Sequence, residues 1–586
     1  MVLRKAKNEY IMERGSRILV FIALFAGLYF MFGRKDEATP HSKIAEPPVV
    51  VPQGSRPDAE LCDIWTDAYR SQVSTRGGVL IGHVPLTAKY KKGGTALQLI
   101  TTPDHPQLTP LYTSFVSLAD PQRKDDWLVK TDLQDFKLEK SDGKTCTLSY
   151  QDERVRIEKT FTAGKTPYAI ELRTSITNLD AAPHKYALST VAGSYLKNAA
   201  VKSRMFSMNP LMSHVECMLA DGSVKRERND DFSDFDDEAR FRVDSINPGY
   251  WSEPVGKASV VAVSSAYFTT AISHDDGPSA PGCLLQIDER FHRERYAKAG
   301  DDPEAGSIYQ ARLAYEPRIL APKQTESFAF KAFIGPKERK ALAAAGDQFD
   351  PIIDLGFFSV IAKVLVGYLL WLYDLIPSWG LAIVLLTFTT RSLLFPLTWP
   401  SIKNMVHMRE LKPEMDRLNE KFKDDPQAKG LAQMELWKKH GVNPMKGCLP
   451  QLVSMPVWFA LYTTLQSAVE LYNIPFLWFP DLSEADPFYI LPFIIGVVFF
   501  AQQKLMPMQA DPAQQKMMLY FMPVMFTVFM LFLPAGLGVY MFTNSLLGIA
   551  QQQVVERHAK KTLEERKNQA LVTNIPGAAT TKNKRG

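Results

Sequence analysis

Past residue 355 the chain carries six apolar stretches, and one of them, Ser378 to Thr398, holds a single charge, Arg391. A stretch of about 20 such residues is long enough to cross a bilayer as a helix. Lipid offers the backbone no hydrogen-bond partners, so a segment like this can cross only with its own ladder closed. A cation at that depth costs about 2.5–3.5 kcal/mol on insertion scales, so it should face a wet cavity or a partner. The middle of every other apolar stretch lacks Asp and Glu. Arg391 therefore reads as a functional charge rather than half of a buried ion pair.

The other stretches sort by length and flanks. Phe357 to Tyr373 contains Lys363 and ends at Asp374 and Pro377, which suits a helix lying in the interface. Stretches at about 449–471, 488–503, 518–533 and 536–555 read as spans. Between the first two spans, residues 399–446 are polar and helical, with Asp424, Asp425 and Pro426 breaking them into a hairpin. At the other end of the chain, Ile18 to Phe32 follows Arg4, Lys5, Lys7, Arg14 and Arg17. No small-x-small cleavage site follows it, so it reads as an uncleaved anchor; a cleaved signal peptide is the rival.

Basic residues orient these spans. The hairpin carries Lys403, Arg409, Lys412, Arg417 and further lysines through Lys446, and the tail is basic from Arg557 to Arg585. The loop 473–487 has no Lys or Arg. Hairpin and tail are thus expected inside. Six spans, counting the anchor, then put both termini inside and the intervening region outside.

That region has ordinary soluble composition. A Pro-rich linker over 35–57 leads into it. From Asp126 to Asn178 apolar and polar residues alternate, with Ser141-Asp-Gly and Ala163-Gly as turns, and similar segments recur at 258–274, 282–288 and 309–334. The expectation is an all-β domain over 58–345, two sheets packed together. The charged stretch 226–240 reads as a solvated loop. His83, His105, His184, His214, His274 and His292 show no metal or triad spacing, and the five cysteines show no CxxC. No catalytic group, metal or cofactor is expected. Cys62, Cys146, Cys217 and Cys283 could pair in any of three ways if the domain is exported, or remain free and buried.

Arg391 lies about 20 Å below Ser378 along the helix, in the inner half of the bilayer. Thr387 is one turn above it, and Ser454, Tyr540, Asn544 and Ser545 place polar groups on other spans. Together they outline a cytoplasm-facing groove, although any single Ser or Thr could equally serve helix–helix hydrogen bonding. Met455, Trp458, Phe459 and Tyr462, with Met522, Met525, Phe526 and Phe529, form soft apolar faces. Lipid contact accounts for many of these, but adaptable side chains also suit a hydrophobic slide for varied clients. A polar groove beside such a slide would shorten the apolar path for a charged segment.

Several motifs now carry a resemblance. Thr387-x-x-x-Arg391 with Phe395-Pro-Leu-Thr398, Lys403-Asn-Met-x-x-Met-Arg-Glu-Leu-Lys-Pro413 and Val442-Asn-Pro-Met-Lys-Gly-Cys-Leu-Pro-Gln-Leu-Val-Ser-Met-Pro-Val-Trp-Phe-Ala-Leu-Tyr462 follow one another in order. Asp486-Pro-Phe-Tyr-Ile-Leu-Pro492, Asp511-Pro-x-Gln-Gln-Lys516, Pro534-Ala-Gly-Leu-Gly-Val-Tyr540 and Gln551-Gln-Gln553 continue the series. Residues 350–556 resemble the YidC/Oxa/Albino membrane insertase family, and the anchor and outer domain resemble its Gram-negative bacterial form. The resemblance implies a five-helix insertase core with Arg391 in its groove, and a periplasmic β-supersandwich like that of sugar mutarotases. It implies nascent membrane proteins as clients, membrane lipids as the receiving phase, and the Sec translocon, SecDF, ribosomes and signal-recognition components as partners. It places the chain in the bacterial inner membrane. Met541, Ser545 and Ser454 depart from common family residues. A secondary transporter would show two related halves and intramembrane acids, and a membrane-anchored carbohydrate-active protein would need paired acids in the outer domain.

Overall fold

The computed structural model describes residues 58–92, 95–102, 106–115, 126–129, 134–197, 213–228, 256–276, 279–291, 306–423, 425–505 and 517–573. The expected anchor and linker, His105 and His292 lie outside these residues. By contact the chain divides into two units, Lys35–Asp354 with Ser467–Ile474, and the remainder.

The first unit is built on sheets. Nine antiparallel strands run, in spatial order, Val224–Glu227, His214–Leu219, Ala258–Ser264, Phe268–Asp276, Thr325–Pro336, Ala169–Asn178, Val155–Ala163, Thr145–Gln151 and Lys137–Ser141. Gly282–Phe291, Gly306–Ala314, Ser189–Lys197 and Thr113–Ser114 form a four-stranded sheet, and Leu61–Trp65, Tyr69–Ser74 and Val79–Pro85 a three-stranded one. Alternation explains the pairing: Val155, Ile157 and Phe161 point inward, while the opposed Leu172 and Ile176 do the same from the next strand. Leu285, Tyr309 and Leu313 of the four-stranded sheet share one core with Val261, Val263 and Phe333 of the nine-stranded sheet. Two disulfides cross between sheets. Cys62–Cys146 joins the three-stranded sheet to the nine-stranded one, and Cys217–Cys283 joins the nine-stranded sheet to the four-stranded one. The free-thiol alternative is thereby set aside.

Two sequence readings change here. The charged stretch 226–240 is not all loop: Arg226 lies in a strand, its Nε donating to the buried Glu216 carboxylate at 2.8 Å, and Glu227 is buried as well. Residues 229–240 lie outside the described residues. The unit also extends past 345, since Phe349 and Ile352 of the turn Asp347–Ile352 are buried in the same core. It further includes Ser467–Ile474, of which residues 467–471 are expected as the end of a span. There Val469 and Leu471 are buried, and the Tyr472 ring lies 5.5 Å from Tyr267 and 5.6 Å from Phe268. The Asn473 side-chain amide donates to the carbonyls of Lys89 and Lys91 at 3.1 and 3.2 Å.

The same alternation forces one charge inward. Lys159 falls on the core side of its strand and is 1 % exposed. The left-handed pair Gly77 and Gly78 turns two carbonyls toward it, each accepting from Nζ at 3.1 Å, and the Phe136 ring lies 4.7 Å away. Burial lowers its pKa to about 7, and burial likewise lowers that of Lys337 to about 8. Both lysines hold their proton to a higher pH when unfolded, so unfolding takes up protons between those values and the ordinary lysine range. Stability of this unit should therefore rise from pH 7 to 9.5. Urea midpoints from limited proteolysis of the detergent-solubilised full chain should show that rise, and Lys159→Met should remove the larger part of it. An unchanged slope in the variant would contradict this assignment.

The second unit is helical. Numbering from the seven-residue helix α1 (Arg339–Ala345) of the first unit, it comprises α2 (Ser359–Leu375), α3 (Trp379–Glu410), α4 (Lys412–Lys421), α5 (Pro426–Lys439), α6 (Pro444–Ser467), α7 (Ile490–Leu505), α8 (Met522–Met530) and α9 (Ala535–Thr573). One described helix, α3, has the length and composition to cross a membrane; Ile490–Lys504 and Leu519–Met530 are apolar but shorter. The helix α3 does not stop at Thr398. It carries Pro396 and Pro400 inside it and runs on to Glu410, so the first part of the polar segment continues the span helix. The break in the hairpin falls before α5, where the Asp425 carboxylate accepts from the N–H groups of Gln427 and Ala428 as an N-cap.

The loop before α7 closes two helix starts. The buried Asp486 carboxylate accepts from the N–H of Leu491, opening α7, and from the Trp478 indole. Glu484 and Leu482 offer their carbonyls to the N–H groups of Ala535 and Gly536 at the start of α9. Orphan donors at two helix starts are thus satisfied by one loop.

Candidate functional site

The helices α3 and α9 pack along each other and run in the same direction. From Arg391, which meets Asn544 and Gln551, the contacts advance to Trp399, which meets His558 with ring centroids 5.4 Å apart; Arg409, farther along α3, reaches back to Glu556 at 3.1 Å. Lys560 also reaches Glu556, at 2.8 Å. On α9, Tyr540, Asn544, Gly548 and Gln551 recur at helical spacing, so one stripe of that helix faces Arg391.

Arg391 is half-buried, and its Nε donates to Asn544 Oδ1 at 2.6 Å. Among the described residues it forms no ion pair, and its two terminal nitrogens donate to no partner. Its backbone carbonyl accepts from Gln551 Nε2 at 3.2 Å. The expectation of a cation without a carboxylate thus meets a neutral amide, which fixes the side chain and leaves the charge uncompensated.

The remaining groove candidates are placed unevenly. Tyr540 and Ser545 are buried. Thr387 is fully buried and its hydroxyl donates to the Ile383 carbonyl at 2.7 Å, one turn back in its own helix. That back-bond uses the hydroxyl inside the helix. The side chain of Ser454 lies outside the described residues. Three contributors were missed by sequence reasoning. A Cβ at Gly548 would stand 3.3 Å from an Arg391 terminal nitrogen and 3.6 Å from Gln502 Nε2. Gly548 therefore borders both the guanidinium and Gln502 of α7, and Gln551 holds the backbone carbonyl of Arg391. A glycine and two glutamines carry no charge signal, and only their recurrence toward Arg391 could have found them.

The apolar candidates form two groups with different neighbours. Trp458 stacks on Tyr462 at 5.6 Å and donates from its indole to the Met541 sulfur at 3.1 Å. Phe459 lies parallel to Phe358 at 6.2 Å, and Met455 is half-buried on the same helix. On α8, Phe526 meets Phe499 of α7 at 5.2 Å, Met525 is exposed, and Met522 and Phe529 are half-buried. Met541, out of pattern by sequence, thus serves as the thioether under Trp458.

Comparison with known proteins follows the same division. Residues 61–368 match the family described as the YidC periplasmic domain, and residues 371–562 match that described as the 60Kd inner membrane protein. The membrane protein insertase YidC of Anaeromyxobacter dehalogenans is 50% identical over 232 residues, which is 39% of this chain and 43% of that protein. The alignment thus spans less than half the length of that relative. The membrane protein insertase YidC of Paraburkholderia phymatum is 33% identical over 512 residues, 85% of this chain and 84% of that protein. A crystal structure described as an active YidC insertase with its first transmembrane domain resolved aligns over 92% of this chain and 98% of its own, with 18% identity and a TM-score of 0.34. By the match to its periplasmic-domain family and by the Paraburkholderia relative, the chain belongs to the YidC family of membrane protein insertases.

Proposed function

We propose that the protein moves apolar segments of nascent inner-membrane proteins from a polar, cytoplasm-facing groove into the bilayer, alone or with the Sec translocon. The observation that carries this is Arg391: a cation in an otherwise apolar helix, held by a neutral amide, with no carboxylate beside it among the described residues. Such a charge attracts acidic or polar client segments and lowers the cost of drawing them into a low-dielectric region. Thr387, Ser454, Tyr540, Asn544 and Ser545 complete the groove in this reading. Met455, Trp458, Phe459, Tyr462, Met522, Met525, Phe526 and Phe529 supply the slide by which an apolar segment leaves for lipid.

The reading includes six spans, the anchor 1–34 and five in the core 350–556, with the α2 segment lying at the interface. Both termini lie inside, and the supersandwich domain is in the periplasm. The common direction of α3 and α9 supports this count, because the two are separated by three intervening spans. At ~1.5 Å per residue, the 16 residues of α7 cover roughly 24 Å, short of a ~30 Å hydrocarbon core. Such short helices favour a locally thinned bilayer, which again shortens the path for polar chain. A role for ribosomes is supported by the basic tail 557–586 and the basic hairpin, which suit a polyanionic surface, while SecDF and signal-recognition components rest on the family alone. The test is reconstitution. Purified protein in lipid vesicles should insert a short single-span client, scored by protease protection, several-fold above protein-free vesicles. Insertion no better than that of lipid alone, with protein correctly oriented, would overturn the proposal.

A further inference from the structure

We infer that Asn544 is a positioning residue for Arg391, and that it makes the arginine a directed fork for a carboxylate rather than a diffuse charge. This rests on the groove reading above and adds the chemistry of what the site holds. An arginine has two ways to present itself. A free side chain samples many rotamers and acts as a cation of uncertain place. One tied at Nε keeps its terminal nitrogens aimed in a single direction, as a parallel pair of donors matched to a carboxylate.

The structure shows the second arrangement. The Nε–Asn544 bond is short, 2.6 Å, and uses the one guanidinium nitrogen nearest the chain. Gln551 holds the Arg391 carbonyl at 3.2 Å, so the same helix grips both backbone and side chain of the arginine. Gly548 lies one turn beyond Asn544, and any Cβ there would reach 3.3 Å from a terminal nitrogen. The absence of a side chain at 548 leaves room where the guanidinium ends. Among the described residues nothing accepts from those terminal nitrogens, so the fork is open. The ligand class that fits is a carboxylate of an acidic client segment, accepting two parallel hydrogen bonds.

A double-mutant cycle separates positioning from simple support. The readout is the insertion rate of a client with an acidic translocated segment into vesicles holding full-length protein. Asn544→Ala should slow it about fivefold when Arg391 is present, the size of a typical net intramolecular hydrogen bond. In a chain that already carries Arg391→Lys, which has no Nε to hold, Asn544→Ala should change the rate less than about twofold. Gly548→Ala gives the second arm. Alanine favours helix over glycine, so thermal stability should hold or rise, yet the rate for the acidic client should fall because the guanidinium is displaced. Equal losses from Asn544→Ala in both backgrounds would make Asn544 a packing residue and overturn the inference. No loss in either would do the same. Should Arg391→Ala itself leave insertion untouched, the groove reading fails first, and this inference with it.

Discussion

Arg391→Ala should slow insertion of clients with acidic translocated segments by about ten- to a hundredfold, equivalent to about 1.4–2.8 kcal/mol. The size follows from where the charge sits. In water, two unit charges at contact distance interact by about 1 kcal/mol, but the interaction grows several-fold at the effective dielectric of a partly buried site. Arg391 lies in an apolar helix and its described neighbours are neutral, so its field is not cancelled locally. Arg391→Lys keeps the charge but not the aimed fork, so it should lose about fivefold, as Asn544→Ala does, and stay above Arg391→Ala. The measurement uses paired clients that differ only by Asp/Glu→Asn/Gln in the translocated segment. The acidic client should suffer from Arg391→Ala and the neutral one should be nearly indifferent. An equal loss for both clients would place Arg391 in the folding of the helical unit instead of in client recognition.

Loss of the two disulfides should destabilise the β unit by up to about 4 kcal/mol each on the loop-entropy account. The bonds close separations of 84 and 66 residues, and all four sulfurs are buried. Each ties two different sheets, so without it the sheets are held by core packing and a few hydrogen bonds such as Cys283 N–H to the Gly256 carbonyl and Lys159 Nζ to the Gly77 and Gly78 carbonyls. The chain entropy released by reduction is an upper bound, because a real unfolded chain retains some structure. Urea midpoints of full-length protein with and without reductant, and of Cys217→Ala with Cys283→Ala, should show the loss. The bonds also report on compartment, since cytosolic thiols remain reduced. Thiol titration of denatured, unreduced protein purified from cells should find one free cysteine, Cys448. Five free thiols would remove both the stabilising role and the outside placement of this region.

What the sequence made legible, and what it hid, follows from how many faces of an element are buried. Val155–Ala163 and Ala169–Asn178 are lined by solvent on one side, and their alternation was plain. Ser189–Lys197 was missed because its Ser, Thr, Ala and Gly residues are buried without alternating, packed between neighbours. His214–Leu219 and Val224–Glu227 were missed for a different reason. The half-buried Arg226 and buried Glu227 read as solvated charge until the cross-strand bond from Arg226 to the buried Glu216 is seen. At the site, Arg391 announced itself by violating an apolar stretch. Asn544 was among the polar groups named, but its role as a holder was not, since sequence gives no rotation of α9 against α3. Gly548 could not be found by chemistry at all, because what it contributes is space.

The segment Ser467–Ile474 makes the β unit discontinuous along the chain, and this bears on how the molecule can be dissected. A fragment ending at Asp354 would keep Tyr90, Tyr267 and Phe268 but lack the residues packed on them, Val469 and Tyr472. Its exposed aromatic patch would favour self-association. A truncated chain that instead discards Lys89 through Phe268 would strip Val469 and Tyr472 of these neighbours and leave Asn473 without its two carbonyl acceptors. Cuts chosen from linear boundaries therefore damage both products. A fragment carrying the eight-residue segment, supplied as a peptide or by a short splice, should behave as the smallest faithful piece of this unit.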